Sequence, residues 1–264
     1  MNENNKYRSI FLSDLHLGTE LCQYEKLLNF LKSLESEDGH SYNLENLFLV
    51  GDIIDMTNFN NNIFWRKGKG QTVIKKFLRM ADKKVNIFYL PGNHDKFLKA
   101  EIENHHSDNK DALINKFQEV QFYNEYVHTT ANGSRYLIHH GDKYDGIVKI
   151  HPAIYKIGDI SYIILVKINK IQNLIRKVIK MKEWSFSLWL KTKAKGAIKF
   201  VNNFEKLIVE DSKKYNVDGV ITGHIHKTED KIIDGVRYLN SGCWTEFCSF
   251  IYENQDGELK VVNL

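Results

Sequence analysis

The sequence predicts an α/β fold, and three observations carry that prediction. Short apolar runs that look like buried strands recur along the chain, and five of them end in a cluster of polar residues. Amphipathic stretches over 24–34 and 72–80 have the apolar spacing of surface helices. The chain has 264 residues, 42% of them hydrophobic and only two of them proline, so we expect one well-filled domain.

Each of the five runs leads into side chains that could bind a ligand. Buried strands that end in polar turns place those side chains at the edge of a sheet. The clusters are Ser13–His16, Gly51–Asp55, Gly92–Asp95, His139–Asp142 and Gly223–His226. One such cluster would carry little information, whereas five in a single chain indicate a site.

The donor groups of these clusters indicate a metal centre. They are carboxylates, an amide and imidazoles, with no thiolate, and this set suits two divalent cations such as Mn, Fe, Co or Zn. On strand-like backbone, residues two apart point the same way, so His224 and His226 could reach neighbouring ions. The same spacing would let Asp14 and His16 converge on one ion.

The order of the clusters gives a specific resemblance. Along the chain they are DxH, GDxxD, GNHD, HGD and GHxH, a series that resembles the calcineurin-like metallophosphoesterase superfamily. Longer segments are similar to the bacterial branch related to UDP-2,3-diacylglucosamine diphosphatase, a hydrolase of the lipid A pathway. These segments are HGDKYDG at 140–146, WSFSLWLKTKAKGAIKF at 184–200, GHIHKTE at 223–229 and RYLNSGCWTE at 237–246. The protein Ser/Thr phosphatases fit less well, because they have GNHE in place of GNHD.

The resemblance implies a particular α/β architecture. We expect a two-sheet β-sandwich flanked by helices, with the ligand loops at strand ends. Residues 1–264 would form a single domain, and a basic helical insertion at 147–200 would lie over the active site. A final strand pair, near 231–240 and 246–262, would close one sheet.

The resemblance also implies which residues hold two metal ions, with Mn²⁺ favoured and Fe, Co or Zn as alternatives. The seven matching residues are Asp14, His16 and His226 for one ion, Asn93, His140 and His224 for the other, and Asp52 as the bridge between them.

Two further residues, His94 and Asp95, are implied to be catalytic. The resemblance places His94 beside the reacting phosphate, and the Asp95 carboxylate would hold the tautomer of its imidazole. An alkoxide leaving group would need a proton from His94. A sugar phosphate would need only charge stabilisation. Close relatives often have GNRD where this chain has GNHD.

The activity implied by the resemblance is hydrolysis of UDP-2,3-diacylglucosamine to UMP and 2,3-diacylglucosamine 1-phosphate. The alternative within the superfamily is another small-molecule phosphodiesterase or a nucleotide phosphatase. An alternative from another class is a catalytically inactive scaffold that binds membranes. An inactive scaffold would be expected to have lost ligands, and all seven are present here.

The basic charge of the chain is concentrated in residues 147–200. This segment has twelve lysines and arginines against two acids, a net charge of +10, whereas the whole chain carries +4. It could pack on the core, cover a substrate that is an anionic lipid or nucleotide-diphospho-lipid, or rest on an anionic membrane. Lys170, Trp184 and Trp189 are its candidate substrate contacts. Its many aliphatic residues fit lipid better than nucleic acid, which is an unlikely partner.

Three smaller features complete the prediction. Trp65 lies in a basic stretch after the second motif and could contact substrate, although a solvated loop is an equal alternative. Cys243 stands where relatives usually have Asp, and a packed thiol is the plainer interpretation. The polar opening of the chain lacks an apolar signal segment, so we expect a cytoplasmic protein with possible peripheral contact to the inner face of the membrane.

Overall fold

Eleven strands form two mixed sheets in the computed structural model, which describes residues 7–57, 68–97, 120–145 and 195–264. The helices of these ranges pack outside the sheets. The predicted α/β class, with two sheets flanked by helices, is therefore confirmed.

The first sheet contains six strands, four of them parallel to one another. Its strands are β1 (Tyr7–Leu12), β2 (Leu44–Val50), β3 (Asn86–Leu90), β4 (Val120–Phe122), β10 (Ser249–Glu253) and β11 (Leu259–Asn263). Their order is β11-β10-β1-β2-β3-β4. Strands β1 to β4 run parallel, and the antiparallel pair β10 and β11 extends the sheet beside β1.

The second sheet contains five strands with a parallel centre. Its strands are β5 (Tyr126–Thr129), β6 (Arg135–Ile138), β7 (Gly219–Thr222), β8 (Thr228–Ile233) and β9 (Val236–Ser241). Their order is β5-β6-β7-β9-β8. Strands β6, β7 and β9 are parallel, whereas β5 and β8 are antiparallel edge strands.

The helices make the outer layers of a helix–sheet–sheet–helix stack. They are α1 (Tyr24–Ser33), α2 (Lys69–Asp82) and α3 (Lys195–Ser212). The first two match the predicted amphipathic stretches, and their apolar faces pack on the outer face of the first sheet. Helix α3 packs Phe204 and Ile208 against Val220 and Tyr238 of the second sheet. Within the described ranges, we find no helix of the length and apolarity needed to cross a membrane.

An aromatic ladder fills the space between the sheets. Phe11, Phe48 and Phe88 are aligned on adjacent strands, and their rings stack with centroid separations of 4.7 and 4.5 Å. Against them pack Ile138 and Leu239 of the second sheet. Because the neighbouring side chains of these strands pack on the helices instead, both faces of the parallel strands are buried, as their continuous apolar runs predict.

The end of the chain differs from the prediction of one closing strand pair. Residues 228–241 form the hairpin β8–β9 in the second sheet, and residues 249–263 form the hairpin β10–β11 in the first. The expectation of a single pair was wrong because the chain crosses between the sheets after Ser241. Each sheet is thus completed by its own hairpin.

The carboxyl ends of the parallel strands lie at one end of the sandwich. The predicted clusters follow β1, β2 and β3 of the first sheet and β6 and β7 of the second. The insertion proposed for 147–200 lies outside the described residues except for 195–200, which form the first turns of α3. Parallel strands from two sheets therefore deliver all five clusters to one region.

Candidate metal centre

The loops after the strands hold their polar side chains on unusual backbone. Five predicted ligands have φ in the left-handed region, which non-glycine residues rarely adopt. They are Asp14, His16, Asp52, His224 and His226, with φ between 49° and 71°. The sequence predicts strand-like backbone for the GHIH segment, and this prediction is wrong, because His224 and His226 both have a positive φ. Its two histidines reach different groups of side chains because each sits in a tight turn.

Glycines leave room for these side chains at two close approaches. A Cβ on Gly92 would lie 2.2 Å from Asp52 Oδ1, and a Cβ on Gly223 would lie 2.5 Å from Asp14 Oδ2. Both distances are far below van der Waals contact. The glycines of the GNHD and GHIH motifs thus allow backbone to pack directly against two carboxylates of the site.

One group of ligand atoms comes from Asp14, His16 and His226. One donor atom of each lies within 4.8 Å of the others. His226 Nε2 is 3.0 Å from Asp14 Oδ1 and 3.2 Å from His16 Nε2. Two imidazole nitrogens and a carboxylate oxygen that converge in this way form a set that a divalent cation of the Mn, Fe, Co or Zn kind accepts.

A second group is formed by Asp52, His140 and His224, again with donor atoms within 4.8 Å of one another. His140 Nε2 is 3.2 Å from Asp52 Oδ2. The Asp52 carboxylate also interacts electrostatically with His16 of the first group. Its position beside both groups suits the bridging role that the resemblance implies for it.

Buried polar atoms without hydrogen-bond partners provide a test of whether metal ions fit here. Among the described residues, eight buried side-chain atoms have no hydrogen bond, and three of them are Asp14 Oδ1, Asn93 Oδ1 and His140 Nε2. Such atoms are costly unless something satisfies them. All three belong to predicted ligands, so the residues fit a pair of divalent cations.

Three of the histidines have a hydrogen-bond partner on the ring nitrogen that faces away from the other ligands. His16 Nδ1 donates to Asp55 Oδ2 at 2.9 Å, and His140 Nδ1 donates to the carbonyl oxygen of Val50 at 2.9 Å. His224 Nε2 lies 2.8 Å from Asp145 Oδ1. These bonds fix which nitrogen each ring can offer to an ion, namely Nε2 of His16 and His140 and Nδ1 of His224.

Asp145 also belongs to this site, through its contact with His224, although the motif spacing does not indicate it. It lies in the HGDKYDG segment, directly after the 3-10 helix Asp142–Tyr144. The signal available was a second carboxylate three residues after Asp142. Only the turn of this helix brings that carboxylate to His224, so the pairing could not be read from spacing.

The partner of His94 is Asp55, which corrects the expectation for Asp95. His94 Nδ1 donates to Asp55 Oδ1 at 3.0 Å, while the other oxygen of Asp55 serves His16. Burial alone would lower the pKa of His94, but the Asp55 hydrogen bond and the nearby Asp52 charge outweigh it and raise that pKa above its ordinary value. The second acid of the GDxxD motif therefore orients the imidazole.

Asp95 instead ties two ligand loops together. Its carboxylate accepts backbone N–H groups from Asp52, Ile53 and Gly92, at 3.3, 3.0 and 2.6 Å, and the Tyr89 hydroxyl at 2.6 Å. These four donors occupy its oxygens, which is why it does not contact the adjacent imidazole. We interpret Asp95 as a positioning residue that fixes the loop carrying Asp52.

The electrostatics of the site favour ionised carboxylates. Burial alone would raise the pKa of Asp52, yet His140, His16 and His94 together hold it well below its ordinary value. Burial likewise opposes ionisation of Asp14, but the neighbouring His226 and His140 lower its pKa. Two buried carboxylates that stay charged are the ligands that divalent cations need.

The expected substrate contacts cannot be placed. Trp65, Lys170, Trp184 and Trp189 lie outside the described residues. Their roles stay predictions from the sequence.

Comparison with known proteins gives one family and several distant likenesses. The family model for calcineurin-like phosphoesterases matches residues 7–228. The DNA polymerase II small subunit of Halobacterium salinarum is 20% identical over 252 residues, which are 92% of this chain and 44% of that protein. The chain thus spans less than half the length of the curated relatives it matches.

Two solved structures are similar to this chain at low sequence identity. Vacuolar protein sorting 29 from Cryptosporidium parvum is 12% identical, with a TM-score of 0.43 and coverage of 99% of this chain and 98% of that one. An archaeal phosphodiesterase is 16% identical, with a TM-score of 0.43 and coverage of 97% and 99%. The family model covers most of the chain, including the five ligand clusters up to His226. This chain belongs to the calcineurin-like phosphoesterase family.

Proposed function

We propose that this protein is a two-metal hydrolase that cleaves the diphosphate bond of a lipid-linked nucleotide sugar. The observation that carries the proposal is the convergence of six of the seven predicted ligands into two groups, with three buried ligand atoms left without hydrogen bonds. Family membership supports hydrolysis at phosphorus. The lipid-linked substrate is supported by the sequence alone.

The two groups of side chains would each hold one cation. Asp14, His16 and His226 would hold the first, and His140, His224 and Asn93 the second, with Asp52 shared. When bound, a cation pair activates water and neutralises charge on the phosphoryl oxygens. We propose Mn²⁺ as the native ion, with Fe, Co or Zn as alternatives that accept the same donors.

His94 would act on the phosphoryl group rather than hold an ion. Its Nδ1 is committed to Asp55, so Nε2 is the nitrogen left to face a substrate. Its side chain is 24% exposed, compared with 6% for His16 and 0% for His140. This imidazole is therefore the most accessible of the three, and it can donate a hydrogen bond to a phosphoryl oxygen or to the leaving group.

The substrate we propose is UDP-2,3-diacylglucosamine, cut to UMP and 2,3-diacylglucosamine 1-phosphate. Support comes from the four longer segments that resemble the bacterial branch acting on it. Support also comes from the net charge of +10 in residues 147–200, which suits an anionic lipid held near an inner membrane surface. Lys170, Trp184 and Trp189 of that segment, together with Trp65, are the substrate contacts we propose.

A second candidate is a phosphodiesterase for a small soluble diester. The observation that favours it is the His94–Asp55 pair, which suits proton donation to an alkoxide leaving group. A diphosphate releases a phosphate group that needs no proton. Relatives often have an arginine at this position. An arginine gives up no proton, so it would serve a phosphate leaving group but not an alkoxide.

Turnover of three substrates by wild type and His94→Arg separates the two candidates. The substrates are UDP-2,3-diacylglucosamine, an aryl phosphodiester such as bis-p-nitrophenyl phosphate, and an alkyl phosphodiester, each with added Mn²⁺. We expect wild type to cleave the lipid diphosphate fastest, and His94→Arg to keep appreciable activity on it while losing the alkyl diester. If wild type cleaves both diesters and ignores the lipid diphosphate, the lipid assignment is wrong.

The exposed Asp256→Asn variant is the matched control for charge removal, and Asp52→Asn is the test of the metal centre. We expect Asp256→Asn to match wild type on every substrate, because the Asp256 side chain is exposed in the turn between β10 and β11. Asp52→Asn should lose all three activities. Full activity of Asp52→Asn would contradict the hydrolase mechanism.

A further inference from the structure

Strand β9 ends beside the metal centre but supplies no predicted ligand. It lies next to β7 and runs parallel to it, so its carboxyl end adjoins the loop that carries the GHIH motif. Residues 240–244, here called the crossing segment, are the end of this strand and the start of the passage to β10 in the first sheet. Asn240 and Ser241 at its start are polar and fully buried.

These first two residues of the crossing segment bind the loop after β7. Asn240 Nδ2 donates to the carbonyl oxygen of Gly223 at 2.7 Å, and its Oδ1 accepts the backbone N–H of Gly242 at 3.0 Å. Ser241 Oγ lies 3.2 Å from the carbonyl oxygen of Thr222. The side-chain amide of Asn240 thus joins the GHIH motif to the crossing segment.

The crossing segment also binds the loop after β1, which belongs to the other sheet. Ser241 Oγ and Ser13 Oγ are 2.7 Å apart, and Ser13 Oγ donates to the carbonyl oxygen of Gly242 at 3.2 Å. The backbone N–H of Trp244 donates to the carbonyl oxygen of Asp14 at 3.1 Å. Ser13 is fully buried, so bulk water does not compete for these hydrogen bonds.

The two loops joined in this way supply the whole first ligand group. Asp14 and His16 come from the loop after β1, and His226 comes from the loop after β7. All three have a positive φ, between 49° and 53°. Non-glycine backbone in this region is strained and persists only where the surrounding structure fixes it. Hydrogen bonds from one buried segment to both loops can fix it.

We propose that Asn240 and Ser241 are positioning residues that hold the loops after β1 and β7 at the separation the first ion requires. The inference rests on the proposed metal centre and adds two residues to it, neither of them a ligand. The second ion depends less on them, because its ligands Asp52, Asn93 and His140 come from three other loops, after β2, β3 and β6.

Ser241→Ala and Asn240→Ala each remove one of the proposed connections. Ser241→Ala deletes the hydroxyl group that the two loops share, and Asn240→Ala leaves the carbonyl oxygen of Gly223 without its side-chain donor. Ser212→Ala is the matched control. Ser212 is also fully buried, and its hydroxyl group donates to the carbonyl oxygen of Val209 within α3 at 2.7 Å. The control therefore deletes the same atom without removing a hydrogen bond to either loop.

Mn²⁺ titration of the whole chain, followed by the electron paramagnetic resonance signal of free Mn²⁺, measures the effect. Ser212→Ala should bind two ions with the affinities of wild type. Ser241→Ala and Asn240→Ala should bind one ion about 10–100-fold more weakly, the range found when outer partners of ligands are removed. The other ion should bind nearly as in wild type. Thermal unfolding of the metal-free variants checks that each is folded.

A double-mutant cycle with Ser13→Ala shows whether Ser241 acts through the loop after β1. If the two hydroxyl groups act as one bonded pair, the fold-losses of affinity in the single variants should not multiply in the double variant. Losses that multiply would mean that the serines act separately, which contradicts the proposal. This cycle uses only serine-to-alanine changes, so it decides the question even if Asn240→Ala does not fold.

The outcomes separate this inference from the proposed function. If wild type binds two ions and either folded single variant, Ser241→Ala or Asn240→Ala, binds both with wild-type affinity, the positioning role is wrong and the metal centre stands. Equal weakening of both ions would also contradict the role, because the hydrogen bonds join the loops of the first group. If wild type binds no Mn²⁺, both the metal centre and the role of the two residues are overturned.

Discussion

His94 and Asp55 form a hydrogen-bonded pair, with 3.0 Å between Nδ1 of the imidazole and Oδ1 of the carboxylate. The second oxygen of the same carboxylate accepts from His16. One buried acid thus orients both a predicted metal ligand and the imidazole that we assign to the phosphoryl group. The positions of these two rings are coupled through a single side chain.

We predict that Asp55→Asn impairs both functions of this acid. An amide has one acceptor oxygen and one NH₂ group, so it can accept a hydrogen bond from only one of the two imidazoles. Its NH₂ group would face the N–H of the other ring, donor against donor. The turnover of any good substrate should fall about 100-fold, within the range for loss of a positioned acid or base. Steady-state kinetics measures this, and Mn²⁺ titration should show weaker binding of one ion. Unchanged kinetics would mean that Asp55 orients neither ring.

We predict that Gly223→Ala disrupts the first ligand group by crowding. The added Cβ would lie 2.5 Å from Asp14 Oδ2, the oxygen that accepts the backbone N–H of His224 at 3.0 Å. Displacing this carboxylate should weaken Mn²⁺ binding at least tenfold, as measured by titration.

Gly235→Ala is the control for that experiment. Its Cβ meets nothing within 4 Å, although its φ of +83° is unfavourable for alanine. It should lose about 1 kcal/mol of stability through backbone strain and keep both ions. Equal metal binding by both variants would contradict the proposed packing of the GHIH loop on Asp14.

At the far end of β10, buried Glu253 gives a pH dependence that can be tested away from the metal site. Burial would raise the pKa of Glu253, but hydrogen bonds from His128 and Ser9 lower it below its ordinary value. A depressed carboxyl pKa stabilises the fold at pH values above the unfolded pKa, and this contribution is lost as the pH falls through the folded value.

We therefore predict that Glu253→Gln lowers the free energy of unfolding by about 3 kcal/mol at pH 7.5, because Arg8 and His128 lose a charged partner. The difference from wild type should shrink as the pH drops below about 4.3, where the glutamate of the unfolded chain becomes protonated. Urea unfolding at several pH values measures it, with exposed Glu258→Gln as the control. A difference that is constant down to pH 3 would contradict the assignment.

The basic segment supplies a prediction about membranes that rests on the sequence. Charge reversal of Lys170, Lys177 and Lys180 to Glu should abolish sedimentation with phosphatidylglycerol vesicles, because exposed charges drive this attachment and salt screens them over about 8 Å. Hydrolysis of a small soluble diester should survive, since these lysines are not among the metal ligands. If wild type ignores such vesicles at low salt, the segment has no membrane role.

Much of the fold followed from the sequence because it depends on local patterns. Continuous apolar runs marked the parallel strands, and 3.6-residue spacing marked α1 and α2. The split of the last two hairpins between different sheets did not follow, because both have the same alternating pattern. Which sheet each joins depends on contacts with β1 and β7 that are distant in the chain.

The partners of the site residues were harder to predict than the ligands. Adjacency in sequence suggests that Asp95 pairs with His94, but consecutive side chains point in different directions. The true partner, Asp55, comes from another loop, as does Asp145 for His224. Such pairs form only when strands of two sheets bring their loops together, so sequence spacing does not reveal them.

The metal content of the pure protein tests the central proposal most directly. After loading with Mn²⁺ and removal of free ions, elemental analysis should give two ions per chain for wild type. Asp52→Asn, which removes the shared carboxylate charge, should give far fewer, whereas Asp256→Asn should match wild type. Wild-type protein with well under one ion per chain would contradict the two-metal account.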